Sequence, residues 1–242
     1  MVISWVYAFV DRPRERFERA AEFWTAVTGT SLSPRRGADG EFATFVPAAG
    51  DAHLKLQGVD APAGGAHLDL VVDDVAATAD RAIALGAALV ADHGSLLVLD
   101  SPGGLGFCVV GSRGEAVRSE VFEGTRLDQV SIDVAPHAHD AETAFWSELT
   151  GWPVLTGSRP EFRAVQSPAS LPVRLLIQRL DEPAATRAHL DFSCADVAAT
   201  RARHEALGAV VVAEFPYWVV LRDPAGGVYC LTSRNPETGR LG

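Results

Sequence analysis

Two hydrophobic rhythms alternate along this chain. Short apolar runs bounded by turn residues, such as SWVYAFV at residues 4–10, predict strands. RERFERAAEFWTAVTG, residues 14–29, has a helical period instead: Phe17, Ala20, Ala21, Trp24 and Val27 fall on one face, and Gly29 ends the segment. Short strands are expected around EFATFVP and AHLKLQG. The pattern then restarts with strand HLDLVV, a helix DVAATADRAIALG capped by Asp74 and closed by Gly86, and strands ALVA, SLLVLD and GFCVVG. From residue 127 the same order returns: LDQVSIDV, AETAFWSELTG, FRAVQS and VRLLIQRL, then HLDFSC, DVAATRARHEALG, AVVVAEF, YWVVLRD and GVYCLTS. The reading is an α+β chain of four βαβββ modules.

The restart is a true repeat. AHLDLVVDDVAATADRAIALGAALV at residues 66–90 returns as AHLDFSCADVAATRARHEALGAVVV at 188–212, with 15 of 25 positions identical. Outside that window Phe23 and Trp24 match Phe145 and Trp146, Gln57 matches Gln178, Asp100 of DSPGG matches Asp223 of DPAGG, and Cys108 matches Cys230. Two domains follow, residues 1–113 and 126–242. The charged, glycine-flanked segment 112–126 between them reads as a linker.

Composition narrows the partners. A formal charge of −10 on 242 residues, with Arg interspersed among Asp and Glu, argues against binding to nucleic acid. No apolar run approaches the roughly 20 residues that cross a bilayer, and no segment is built like a signal peptide, so a cytoplasmic protein without a membrane partner is expected. The three cysteines, Cys108, Cys194 and Cys230, are odd in number and lack CxxC spacing, which predicts reduced thiols. His53, His93, His137, His139 and His204 are expected in loops or on helix surfaces. The GG turns enter strands, unlike phosphate loops, and no nucleophile elbow is present.

The segment RLLIQRLDEP…AHLDFSCADV…LGA…WVVLRDPAGGVYCLTSR resembles the glyoxalase-like branch of the vicinal oxygen chelate superfamily, which includes glyoxalase I, bleomycin-resistance proteins and extradiol dioxygenases. The resemblance covers nearly the whole chain, once per half, and is closer in the second half. It implies tandem glyoxalase-like domains, each with two modules forming a cup-shaped sheet around a ligand and helices outside. It further implies metal ligands on the first and last strands of each module. Those positions read Gln129, Gln178, His189 and Cys230 in the second half, and Trp5 or Tyr7, Gln57, His67 and Cys108 in the first.

Cysteine stands where metal-dependent members have a carboxylate on the last strand, and a neutral amide is a weak ligand. This predicts a degenerate metal site. Any metal would rest on His189 with Gln129, Gln178 and Cys230. His67 and His189 are candidate acid–base residues, each sharing a sheet face with the aspartate two residues on, Asp69 or Asp191. These aspartates are expected to pair with a neighbouring Arg. Trp5 and Trp218 are candidates to line a cup, whereas Trp24 and Trp146 are expected to pack helix onto sheet.

Three functions fit the residues. The first is a module that binds a small, largely apolar molecule without chemistry. The second is a metal-dependent lyase, isomerase or dioxygenase active in the second half, and the third is a metal-free enzyme in which His189 or His67 moves a proton. The cofactor is open, with a divalent metal the weaker expectation. Duplication suggests a monomer with pseudo-twofold halves or a homodimer.

Overall fold

The computed structural model describes residues 2–61 and 64–240. In the first half β1 (Ile3–Pro13), α1 (Phe17–Thr28), β2 (Ser31–Leu32), β3 (Phe42–Val46) and β4 (Leu54–Val59) form one βαβββ module. A second comprises β5 (Gly65–Val72), α2 (Val75–Ala84), β6 (Ala88–Asp92), β7 (Leu96–Asp100) and β8 (Gly106–Gly111). The second half repeats this with β9 (Thr125–Val134), α3 (His139–Thr150), β10 (Val154–Thr156), β11 (Phe162–Val165) and β12 (Arg174–Arg179). It closes with β13 (Arg187–Cys194), α4 (Val197–Ala206), β14 (Val210–Phe215), β15 (Trp218–Arg222) and β16 (Val228–Thr232). The expected α+β architecture of four modules and two mixed sheets is present. No helix among the described residues is long and apolar enough to cross a membrane.

Local sequence explains the helix limits. Asp74 accepts a hydrogen bond from the Ala77 amide at 3.0 Å, and Asp196 accepts one from Ala199 at 2.9 Å, satisfying donors that the first helical turn leaves open. Gly29 and Gly151 follow α1 and α3 in the left-handed region, at φ 63° and 72°.

Each sheet has eight strands drawn from one half, in the orders β2-β3-β4-β1-β5-β8-β7-β6 and β10-β11-β12-β9-β13-β16-β15-β14. The first strand of the second and fourth modules runs parallel to the last, β5 beside β8 and β13 beside β16. Asp69 thereby sits opposite Cys108, and Asp191 opposite Cys230.

Compact packing follows a different division. One unit comprises Met1–Ala8, His67–Ala116 and Val130–Ala188; the other comprises Phe9–Ala66, Val117–Gln129 and His189–Gly242. Aromatic packing inside each unit gives the reason. Trp24 of α1 is wholly buried, stacked on Phe192 of β13 at 5.8 Å and edge-on to Tyr229 of β16 at 5.3 Å. Trp146 of α3 packs on Phe107 of β8 at 5.0 Å. Both tryptophans join helix to sheet as expected, but the strands they cover belong to the opposite half of the sequence.

A buried indole N–H needs an acceptor. Trp24 Nε1 donates to Asp223 Oδ2 at 2.9 Å, and that carboxylate also pairs with buried Arg12 at 2.7 Å. A Cβ at Gly227 would stand 2.0 Å from the Arg12 guanidinium, so only glycine leaves room for this pair. Trp146 Nε1 donates instead to Glu142 Oε1 of its own helix at 2.9 Å, and Glu142 Oε2 accepts the Gly103 amide at 2.8 Å. The turn glycines Gly104 and Gly226, both at positive φ, set the correspondence here. They match Ser101, rather than Asp100, with Asp223. The carboxylate has moved from turn to helix, with Ala20 standing where Glu142 does.

Candidate metal centre

Strand geometry builds the centre. His189 and Asp191, two residues apart on β13, face the same way, and the parallel register sets Cys230 beside Asp191. The donor atoms of His189, Asp191 and Cys230 all lie within 4.8 Å of one another. His189 Nε2 is 3.3 Å from Asp191 Oδ1. Gln129 Nε2 donates to Asp191 Oδ2, so the opening strand β9 orients the carboxylate from the other side. Burial pushes the Asp191 carboxyl up, but the His189 imidazole, the Arg234 charge and the Gln129 hydrogen bond outweigh it and hold the group below its ordinary range. Arg234 is itself buried and paired with Asp128.

The first half repeats the cluster with His67, Asp69 and Cys108, again within 4.8 Å. Here His67 Nε2 and Asp69 Oδ1 are 3.9 Å apart. Tyr7 replaces Gln129, and its hydroxyl donates to Glu115 Oε1 from the segment after β8. Burial, then the hydrogen bond with Glu115, pushes the Tyr7 phenol far above its ordinary range.

One expectation needs correction. The aspartates were expected to pair with arginine; Asp191 meets His189 and Gln129, and the Arg234 charge acts on it as well. The last strand carries cysteine rather than a carboxylate, and Asp191 and Asp69 stand beside it on the neighbouring strand. Their shared face with the histidines was legible from the two-residue spacing; their adjacency to cysteines 39 residues away was not.

The other expected residues are placed as follows. Gln178 lies half-buried on β12 opposite Phe162, and Gln57 half-buried on β4 opposite Phe42. Trp5 is wholly buried. Trp218 is half-buried, stacked on Phe215 at 4.5 Å, and shares a face with Cys230 because Val220 pairs with Cys230 and Trp218 with Thr232.

None of the three cysteines is in a disulfide, and burial pushes Cys194 up to about 12. His53, His139 and His204 are buried, contrary to the expected surface positions. His204 Nδ1 shares a hydrogen bond with the Tyr229 hydroxyl at 2.9 Å, beneath Phe23, and burial lowers its pKa to about 4.

Fold and site together define a class. The chain belongs to the glyoxalase-like domain family, whose sequence model matches residues 8–110 and 129–232. Its structural neighbours are a glyoxalase and ring-cleaving dioxygenases of the vicinal oxygen chelate superfamily. The Mn(II)-bound glyoxalase from Novosphingobium aromaticivorans superposes with a TM-score of 0.71 at 17% identity, covering 100% of this chain and 87% of that one. The 2,2′,3-trihydroxybiphenyl 1,2-dioxygenase from Sphingomonas wittichii gives 0.62 at 15% identity, covering 96% and 90%. A 2,3-dioxygenase from Pseudomonas gives 0.63 at 11%, covering 93% and 90%. No curated protein matches the sequence.

Proposed function

We propose that the second half holds a divalent ion of the zinc or iron class on His189, Asp191 and Cys230, and acts on a small, largely apolar molecule. The observation that carries this reading is the convergence of nitrogen, oxygen and sulfur donors, with His189 and Asp191 3.3 Å apart. Two donors about 2.1 Å from an ion, at the tetrahedral angle, are about 3.4 Å apart, so the donor set fits. The 3.9 Å separation in the first half fits less well.

A bound ion of this class supplies Lewis-acid polarisation of a substrate oxygen. The chain's own residues supply the rest. Asp191 is held ionised, Gln129 fixes its orientation, and Trp218 and Val220 offer apolar contact on the Cys230 face. Reduced thiols suit a cytoplasmic setting.

Metal analysis of protein purified without chelator tests this reading. About one equivalent per chain is expected, lost in His189→Ala and retained in His67→Ala. Metal-free protein that divalent ions do not stabilise against heat sinks the reading. The same geometry then favours metal-free proton transfer, since the His189 side chain is 12% exposed against 5% for Asp191, leaving the imidazole as the part a substrate meets.

A further inference from the structure

Away from the metal cluster, the start of α1, the end of α4 and the turn joining β15 to β16 border an open groove of about 680 Å³. Phe23 and Pro224 line it with Leu207 and Val210, which are 45% and 63% exposed. Arg16, Arg19 and Arg222 supply its charge, and all three are exposed. The turn is a rigid support: Asp223 Oδ1 accepts the Ala225 and Gly227 amides at 2.9 and 3.1 Å, while its Oδ2 takes Arg12 and Trp24. Two guanidiniums rest on this turn. Arg16 Nη1 donates to the Ala225 carbonyl at 3.2 Å, and Arg222 Nη1 to the Gly226 carbonyl at 3.1 Å. A Cβ at Gly226 would stand 2.7 Å from Arg16 Nη1, so glycine lets the guanidinium lie this close.

Neighbouring carbonyls thus hold two like charges on one turn, an arrangement that an anion would favour. Among the described residues, none of Arg16, Arg19 and Arg222 forms an ion pair. Of the two acids in the lining, Asp223 is neutralised by Arg12, which leaves three guanidiniums against Glu22 and an excess of two positive charges. Glu15 and Glu18, their neighbours in sequence, lie outside the lining, and Glu18 is held by Arg35 at 2.6 Å. Folding does not require these arginines. On the same helix-and-turn framework, the first half has Ala138, Ala141 and Asp100 at the matched positions.

We infer that this groove binds a small phosphate monoester, its dianionic head on Arg16 and Arg222 and its apolar substituent along Leu207 and Val210. Paired guanidinium N–H groups match phosphate oxygens in geometry as well as charge. An excess of two positive charges suits a dianion better than a monocarboxylate. A phosphorylated lipid would present the same head at a membrane surface, but a chain of formal charge −10 is repelled by an anionic bilayer, which favours a soluble ligand.

Calorimetric titration of the full chain with phenyl phosphate, at pH 8 and constant ionic strength, tests the inference. Saturable binding is expected, with benzoate and inorganic phosphate each about tenfold weaker or more. Affinity for phenyl phosphate should fall about tenfold at pH 5, where the second phosphate proton has returned. Exchanging arginines for their first-half counterparts, Arg16→Ala and Arg222→Asp, should each weaken binding about tenfold or more while circular dichroism stays native. His189→Ala should bind as the parent does, and phosphatidylcholine vesicles containing phosphatidic acid should not retain the protein. No binding of phenyl phosphate by the parent, equal binding of benzoate or inorganic phosphate, or a flat pH profile would each overturn it. So would unchanged affinity in Arg16→Ala or Arg222→Asp, lost binding in His189→Ala, or retention on the vesicles.

Discussion

The two clusters share three residue types and one strand register, yet they are chemically unlike. His189 and Asp191 sit 3.3 Å apart with Gln129 on the far carboxylate oxygen, whereas His67 and Asp69 are 3.9 Å apart. One position on the opening strand accounts for much of this. Gln129 has an amide N–H that reaches the aspartate; Tyr7 places its hydroxyl on Glu115 instead. A metal site thus depends on the group orienting its ligands as well as on the ligands. Duplication has kept the packing in both halves while the chemistry of each could change.

If packing is the shared part, its disruption should cost alike in both halves. Trp24→Ala and Trp146→Ala should each lower unfolding free energy by about 3–5 kcal/mol, read from denaturant midpoints at unchanged slope. A much smaller loss at either position would break the symmetry.

The helices α2 and α4 differ at a position that is buried in both, Ala82 against His204. The native His204 pKa is lowered to about 4 from an ordinary 6.5, so the unfolded chain takes up the proton first as pH falls. Stability from this group is therefore full above pH 6.5, declines below it, and stops declining near pH 4, a loss of about 3 kcal/mol. His204→Leu should flatten that part of the stability-against-pH curve; an unchanged slope would show that His204 does not produce it.

Gln129→Tyr recasts the second cluster in the image of the first. Divalent-metal affinity should fall about 10- to 100-fold, with folding intact by circular dichroism. Unaltered affinity would mean that the opening strand does not separate the two sites.

The smallest expected effect concerns the helix caps, which are alike in the two halves. Asp74→Ala and Asp196→Ala should each cost about 1 kcal/mol in unfolding titrations. Unequal losses would show that even these matched elements carry different loads.

Much of the fold was legible because it is written locally. The helical period around Trp24, the caps at Asp74 and Asp196, and the 122-residue offset between His67 and His189 all lie in short windows of sequence. So did the shared face of His189 and Asp191, which follows from the two-residue repeat of extended backbone. Less of the candidate site could be read that way. Cys230 meets Asp191 because β16 lies parallel to β13 in one register, and Gln129 reaches the same carboxylate from β9. His204 looks like a surface residue on a charged helix until Phe23 and Tyr229 enclose it.

By itself, then, the sequence determined the four modules, their duplication and the residue types available for chemistry, since periodicity and capping act over a few residues. Tertiary structure alone decided which strands each tryptophan covers, where the acceptor for its indole stands, and which carboxylate stands beside each histidine and cysteine. Those outcomes depend on registers and packing between segments tens to hundreds of residues apart, where the free energy lies in the fit of distant surfaces rather than in any local pattern.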